Sequence, residues 1–295
     1  MINIGLSPNL TSDDSFLALK MLLQPWKWKK GKAVGELEDW FKKYTGMKNV
    51  KSFNSGRSGE YEILKAFGIG KGDEVLLQAF TCVAVPNSVL WMTATPVYVD
   101  IDESLTMDPA DLEKKITARS KAIIVQHTFG NLANLKEIGQ ICKKHGLVLI
   151  EDCAHTIKKN IQGDAAFFSF GRDKAVSSVF GGVGVIRGKK GEWGRSLDVP
   201  SYFWIFQQLL HPLAMAVILP LYNRANLGKL VLWVLQKLKL LSFPVYPEEK
   251  NGVRPKDFPK RMPNALAELA LAQLAKLEEF EEKRREISRI YENEL

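Results

Sequence analysis

Between about Lys71 and Ile186 the chain alternates short, fully apolar runs with stretches of helical period. The runs are Val75-Leu76-Leu77, Pro96-Val97-Tyr98-Val99, Ala122-Ile123-Ile124-Val125 and Leu147-Val148-Leu149-Ile150. Each is strand-length and apolar at every position, as expected of strands covered on both faces. Helical stretches run through Ala84 to Trp91 and Leu135 to Lys144, the second stopped by Gly146. Strands alternating with helices predict an α/β fold with a mixed, mostly parallel sheet. In such sheets ligands bind beyond the carboxyl ends of the strands, so the residues just after each apolar run carry the candidate chemistry.

Three places stand out. Before the first of these strands lies Asn54-Ser55-Gly56-Arg57-Ser58-Gly59, a small-residue turn that opens a helix to about Phe67. Backbone N–H groups at a helix start, with hydroxyls beside them, form either an anion site or an ordinary capped terminus. The run ending at Ile150 continues into Glu151-Asp152-Cys153-Ala154-His155. A carboxylate at the end of an apolar strand needs a cation or donors to meet it. A protonated pyridine nitrogen, an arginine or a helix cap each satisfies Asp152. Third, Asp164 to Phe170 leads through Ser169 to Lys174 and on to Gly181-Gly182. A lysine at the mouth of a site can form a Schiff base with a carbonyl, although a single lysine after a strand is usually just solvated. Together the three supply an anion cradle, a carboxylate for a pyridinium and an amine.

The motifs in this order resemble the DegT/DnrJ/EryC1/StrS family of sugar aminotransferases. They are Ser55–Ser58, Phe80–Ala84, Pro96–Asp102, His127–Gly130, Glu151–His155 and Ser169–Lys174, within a likeness from Asn3 to Ile186 that resumes from Arg261 to Leu295. The resemblance implies the large domain of a fold-type I transferase dependent on pyridoxal 5′-phosphate (PLP), working as a homodimer with active sites at the interface. It further implies catalytic roles for Lys174, which would hold the cofactor and shuttle a proton, and for Asp152 beside the ring nitrogen. His155 would stand near the phenolic oxygen, and Gly56, Arg57, Ser58 and Ser169 would bind the phosphate. Glutamate would give the amino group and a keto sugar would receive it. Residue by residue, His155 also reads as a core histidine and Ser169 as a strand-end hydroxyl. His127 is given no catalytic role, and no metal site is expected. A sugar dehydratase of the same family would carry histidine in place of Lys174.

The sequence departs from that pattern in places. Cys82 stands where many relatives stack an aromatic ring on the cofactor, Val179-Phe180-Gly181-Gly182 replaces Gly-Glu-Gly-Gly, and Pro259 falls where an asparagine is common. These changes leave the cofactor reading in place and loosen the tie to a nucleotide-linked sugar. The lost aromatic also fits a scaffold relative that binds PLP without turnover. From Asp198 to Glu248 there is no acidic residue between, and Val199 to Asn223 has no charge at all, while Leu227 to Leu241 mixes leucines and Trp233 with Lys229, Lys237 and Lys239. This basic, apolar stretch (199–243) reads as a membrane-interface surface, a face for a partner subunit or a span. The interface reading would make a lipid-linked sugar a reasonable substrate. From Asn264 to about Tyr291 a helical stripe predicts one long helix, beyond which the small C-terminal domain of relatives is expected to be largely missing. Three parts follow: 1–190 as the PLP-binding large domain, 191–257 as an insertion, and 258–295 as that helix.

Composition narrows the context. With 46% apolar residues the chain can build a sizeable core. Its 41 Lys+Arg against 33 Asp+Glu come without zinc spacing, Arg-rich tracts or an aromatic RNA motif, so nucleic acid is not an expected partner. Three cysteines without pairing or metal spacing, and a start without a signal pattern, point to a cytoplasmic protein, either free or peripheral on the inner face of the membrane.

Overall fold

The computed structural model describes residues 9–188, 193, 194 and 196–294. Residues 3–8, where the family likeness begins, and Leu295 lie outside the described residues. Two helices, α1 (Ser12–Leu22) and α2 (Ala33–Thr45), precede strand β1 (Asn49–Phe53) and helix α3 (Gly56–Ala66). Then come β2 (Glu74–Gln78), α4 (Ala84–Trp91), β3 (Thr95–Val99), α5 (Pro109–Lys115), β4 (Ser120–Gln126), α6 (Leu135–His145) and β5 (Val148–Cys153). β6 (Ala165–Ser169), β7 (Gly182–Ile186), α7 (Tyr202–Leu221), α8 (Leu227–Lys237), α9 (Asn264–Leu274) and α10 (Leu277–Glu294) complete the order.

The strands form one seven-stranded sheet, in the order β1-β7-β6-β5-β4-β2-β3. β2, β3, β4, β5 and β6 pair in parallel, and β7 runs antiparallel to both neighbours. The runs of β2, β4 and β5 become interior strands covered on both faces, whereas the Pro96–Val99 run, expected to be covered likewise, forms the edge strand β3 with Tyr98 exposed. Phe167 and Ile150 pack with Ile63 and Leu64 of α3 on one face. Their neighbours Phe168 and Cys153 pack with Leu37, Phe41 and Leu266 on the other. The expected α/β architecture with a mixed, mostly parallel sheet is what the chain forms.

The structure changes three details. The Ser-Gly turn does not precede the sheet. It follows β1, an edge strand whose Lys51 and Ser52 hide it from an apolar-run reading, and this puts the turn at the same sheet edge as the ends of β5 and β6. The predicted single C-terminal helix is two: the chain turns at Ala275-Lys276, and Leu277 is the last buried residue of the stripe. α9 is buried on most of its surface, whereas Ile287, Ile290 and Tyr291 of α10 are exposed, so the periodicity continues where the packing ends. Finally, α7 is long and apolar enough to cross a membrane, yet half of its most apolar stretch is buried in this fold. Trp204, Ile205 and Leu209 join the core shared with α1, α2 and α9, and Met215 and Ile218 pack against α8. Part of the apolar surface expected to face a partner subunit or a membrane is thus buried within the chain, while Phe203, Val217 and the outer side of α8 stay exposed. The first helix of the 191–257 insertion shares its core with the other two parts.

Candidate active site

At the β1 end the chain enters α3 through Ser55, whose extended backbone (φ −164°) makes it the N-cap. Its hydroxyl accepts from the Ser58 N–H at 3.2 Å. The Ser58 hydroxyl donates to Asn54 Oδ1 and lies 2.8 Å from the Ser55 oxygen. Ser58 is therefore engaged in the helix cap and fully buried, and Ser55 rather than Ser58 borders the cavity beyond the sheet edge. Gly56 is required here, because a Cβ would come within 2.8 Å of the Ser169 Cβ. That closeness sets the first N–H groups of α3 beside the Ser169 hydroxyl, the arrangement an anionic group needs. The guanidinium of Arg57, expected to bind the phosphate, instead pairs with buried Glu249, donates to the Pro244 carbonyl and lies 4.8 Å over the Phe258 ring.

β5 splits its two acids by strand alternation. Glu151 points to the core face, where Oε1 accepts from the N–H groups of Gln162 and Gly163 and Oε2 meets His127 Nε2 at 3.0 Å and Lys158 Nζ at 2.6 Å. Those donors hold its carboxyl below the usual range against the cost of burial. His127, Glu151 and Cys153 present ligand-type atoms within 4.8 Å of one another. However, both Glu151 oxygens are already occupied, and His127 Nδ1 accepts from the Ala133 N–H at 3.2 Å. Both ring nitrogens of His127 are thus engaged in the packing beneath the site. Asp152, next in sequence, faces the cavity, and among the described residues only the Ala154 N–H, at 2.8 Å, donates to its carboxylate, on Oδ1. Burial pushes it up to about 6, partly opposed by that N–H and by the Lys174 charge. An acid held this way binds a cationic group strongly.

Lys174 follows β6 in a turn closed by its N–H to the Gly171 carbonyl at 3.1 Å. Asn9 holds its carbonyl at 2.6 Å, and Arg284 of α10 holds that of Ala175 at 2.8 Å. The amine lies 3.6 Å from Asp173, and the Lys174 side chain is 15% exposed at the cavity wall. His155 Nδ1 accepts from the Phe129 N–H at 3.1 Å, and the two rings stack at 5.4 Å. Burial, then the Lys174 charge, lowers its pKa to about 4, so the imidazole is neutral. Cys82 is exposed at the rim. Of the residues expected at the site, Gly56, Asp152, His155, Ser169, Lys174 and Cys82 line one cavity of about 300 Å³, and Arg57 borders it.

Sequence reasoning missed Glu60 and Arg172. Glu60 sits one turn after Gly56 on the same helix face, 1% exposed, and neither of its oxygens has a hydrogen-bond partner among the described residues. Burial first, then Asp152, raises it well above the carboxylate range. The i, i+4 spacing from Gly56 is the signal that would have found it. Arg172 is buried, donates to the Ser242 hydroxyl at 2.6 Å and lies 5.6 Å over Phe180. It ties the lysine turn to the segment after α8, which supplies Pro244 and Val245 to the cavity wall.

These groups fit PLP. A helix start with two serine hydroxyls suits its phosphate, a buried acid with no ion pair among the described residues suits its ring nitrogen, and a lysine amine at the wall suits its aldehyde. Comparisons with known proteins agree. GDP-perosamine synthase of Caulobacter vibrioides is 34% identical over 185 residues, 60% of this chain and 50% of that protein. The spore coat polysaccharide biosynthesis protein SpsC of Bacillus subtilis is 35% identical over 162 residues, 52% of this chain and 42% of that protein. The chain spans about half the length of such curated relatives. A solved structure described as putative sugar aminotransferase Spr1654 from Streptococcus pneumoniae, PLP-form, superposes with a TM-score of 0.69 at 22% identity, over 99% of this chain and 71% of that one. Residues 10–191, well over half of the chain, match the model of the DegT/DnrJ/EryC1/StrS aminotransferase family, and the chain belongs to that family of PLP-dependent enzymes.

Proposed function

We propose that this chain transfers an amino group from glutamate to a keto sugar carried on a nucleotide or a lipid, in the making of cell-surface polysaccharide or a secondary metabolite, as a homodimer. The observation that carries the reading is the convergence of the α3 N-terminus, Asp152 and Lys174 on one cavity. Bound there, PLP supplies an electron sink through which an amino group can be exchanged. The chain's own residues do the rest. The first N–H groups of α3 and the hydroxyls of Ser55 and Ser169 anchor an anion. Asp152 keeps a proton on the ring nitrogen, which its buried setting favours once a cation is beside it. Lys174, 15% exposed and braced from both sides, takes up and returns a proton at the reacting carbon. His155, neutral, presents a flat wall next to Lys174.

Absorbance tests this. The purified chain with PLP should absorb in the near ultraviolet or visible, and borohydride should fix the cofactor on the peptide containing Lys174. Glutamate should then shift the spectrum. A colourless chain, or label on another lysine, sinks the proposal. A second reading, a PLP binder without turnover, rests on Cys82 at the rim, in the place where the family pattern has an aromatic residue; a coloured protein that ignores every amino donor would favour it.

A further inference from the structure

α8 is apolar on both sides. Its inward residues Val231, Leu232 and Leu235 pack against Met215 and Ile218 of α7. Its outward stripe, Leu227, Leu230, Trp233, Val234 and Leu238, recurs at helical spacing and is exposed. A surface helix ordinarily turns a polar face to water, so a second apolar face needs a partner. The charges of α8 and of the chain flanking it have one sign. Arg224, Lys229, Lys237 and Lys239 are all exposed, and no acidic residue stands between Asp198 and Glu248. Lys237 lies 4.8 Å over the Trp233 ring and Lys229 5.5 Å over Tyr222, so ammonium groups and aromatic rings share one layer.

We infer that the outward face of α8 is a docking surface for an anionic lipid bilayer, lying in the plane of the headgroups. Two arguments select this occupant. A second copy meeting this face by two-fold symmetry would set the four cations against their own equivalents. Protein interface cores are also depleted of lysine, whereas an interfacial helix places Trp and Leu in the acyl boundary and Lys and Arg at the phosphates. The surface belongs to the same hairpin that supplies the cavity wall, through Arg172 to Ser242 and Arg57 to the Pro244 carbonyl, so docking would set the cavity at a fixed height above the bilayer. The inference is independent of the amino-transfer reading.

Co-sedimentation of the full chain with vesicles tests it. Vesicles of phosphatidylcholine with phosphatidylserine should pull the protein down at low salt, pure phosphatidylcholine should not, and half-molar salt should release it. Each of Lys229→Gln, Lys237→Gln and Lys239→Gln should weaken binding about fivefold. Trp233→Glu should abolish it, with far-ultraviolet circular dichroism and the PLP absorbance unchanged. Equal binding to both vesicle types, or none to either, overturns the inference. So does a dimer that ignores vesicles and becomes monomeric on Trp233→Glu, which would assign the face to a second copy.

Discussion

The two faces of the sheet at the end of β5 receive adjacent acids and treat them in opposite ways. On the core face Glu151 has four donors on two oxygens and is held ionised. On the cavity face, among the described residues, Asp152 has one donor and neither Glu60 oxygen has a partner at hydrogen-bond distance. Burial raises both acids, the Ser88 hydroxyl only partly opposing it at Glu60. All three are essentially fully buried, so exposure does not separate them. The number of donors does. A buried carboxylate with its bonds complete is part of the packing, whereas one with bonds missing marks where a ligand's charge is to arrive.

The contrast predicts effects of falling size. Glu151→Gln should be the most damaging to stability, because it strands the Lys158 ammonium, whose side chain is only 9% exposed. A loss of about 3–5 kcal/mol in urea denaturation is expected, as for any broken buried ion pair. Asp152→Asn should leave the fold intact and lower turnover by about a hundredfold or more, since it removes a preorganised charge from the reacting group. In a preparation freed of cofactor, the Asp152 carboxyl, raised in the fold from 3.8 to about 6, binds its proton more tightly folded than unfolded. Its stabilising contribution is thus present below pH 3.8 and lost as pH rises through about 6, some 3 kcal/mol in all, and Asp152→Asn should remove that slope. Glu60 has the same sign, so Glu60→Leu should stabilise the chain near pH 7 by about 1–3 kcal/mol. A loss of stability there would mean that Glu60 has a partner after all. The smallest effect belongs to His155→Gln. With its pKa near 4 the imidazole stays neutral between pH 5 and 8, so the pH–rate profile in that range should keep its shape.

Much of this was legible in the chain because burial on both faces writes itself as unbroken apolar runs; β2, β4 and β5 fall where those runs stand, and the remaining run, Pro96 to Val99, falls on the edge strand β3. β1 and β7 did not show. The first carries Lys51 and Ser52, and the second has Gly182 and Gly184, which clear space for α3 and for Trp193 instead of adding apolar bulk. At the site, Lys174, Asp152 and Ser169 were readable because each stands at or just beyond the carboxyl end of a strand. The roles of Ser55 and Ser58 were not, since which hydroxyl caps the helix and which faces out is a matter of backbone rotation. Glu60 stayed hidden because a glutamate on a helix reads as a solvated residue. Periodicity overran the break at Ala275-Lys276, which no glycine or proline marks.

The close approach of α3 to the sheet has an evolutionary corollary. A methyl group at position 182 would lie 2.5 Å from the Gly56 backbone nitrogen, and one at position 56 would strike Ser169. In the first case the obstacle is main chain, which no substitution elsewhere can whittle away. A library randomised at both sites should therefore return glycine at position 182 in every folded survivor, with no compensating pair.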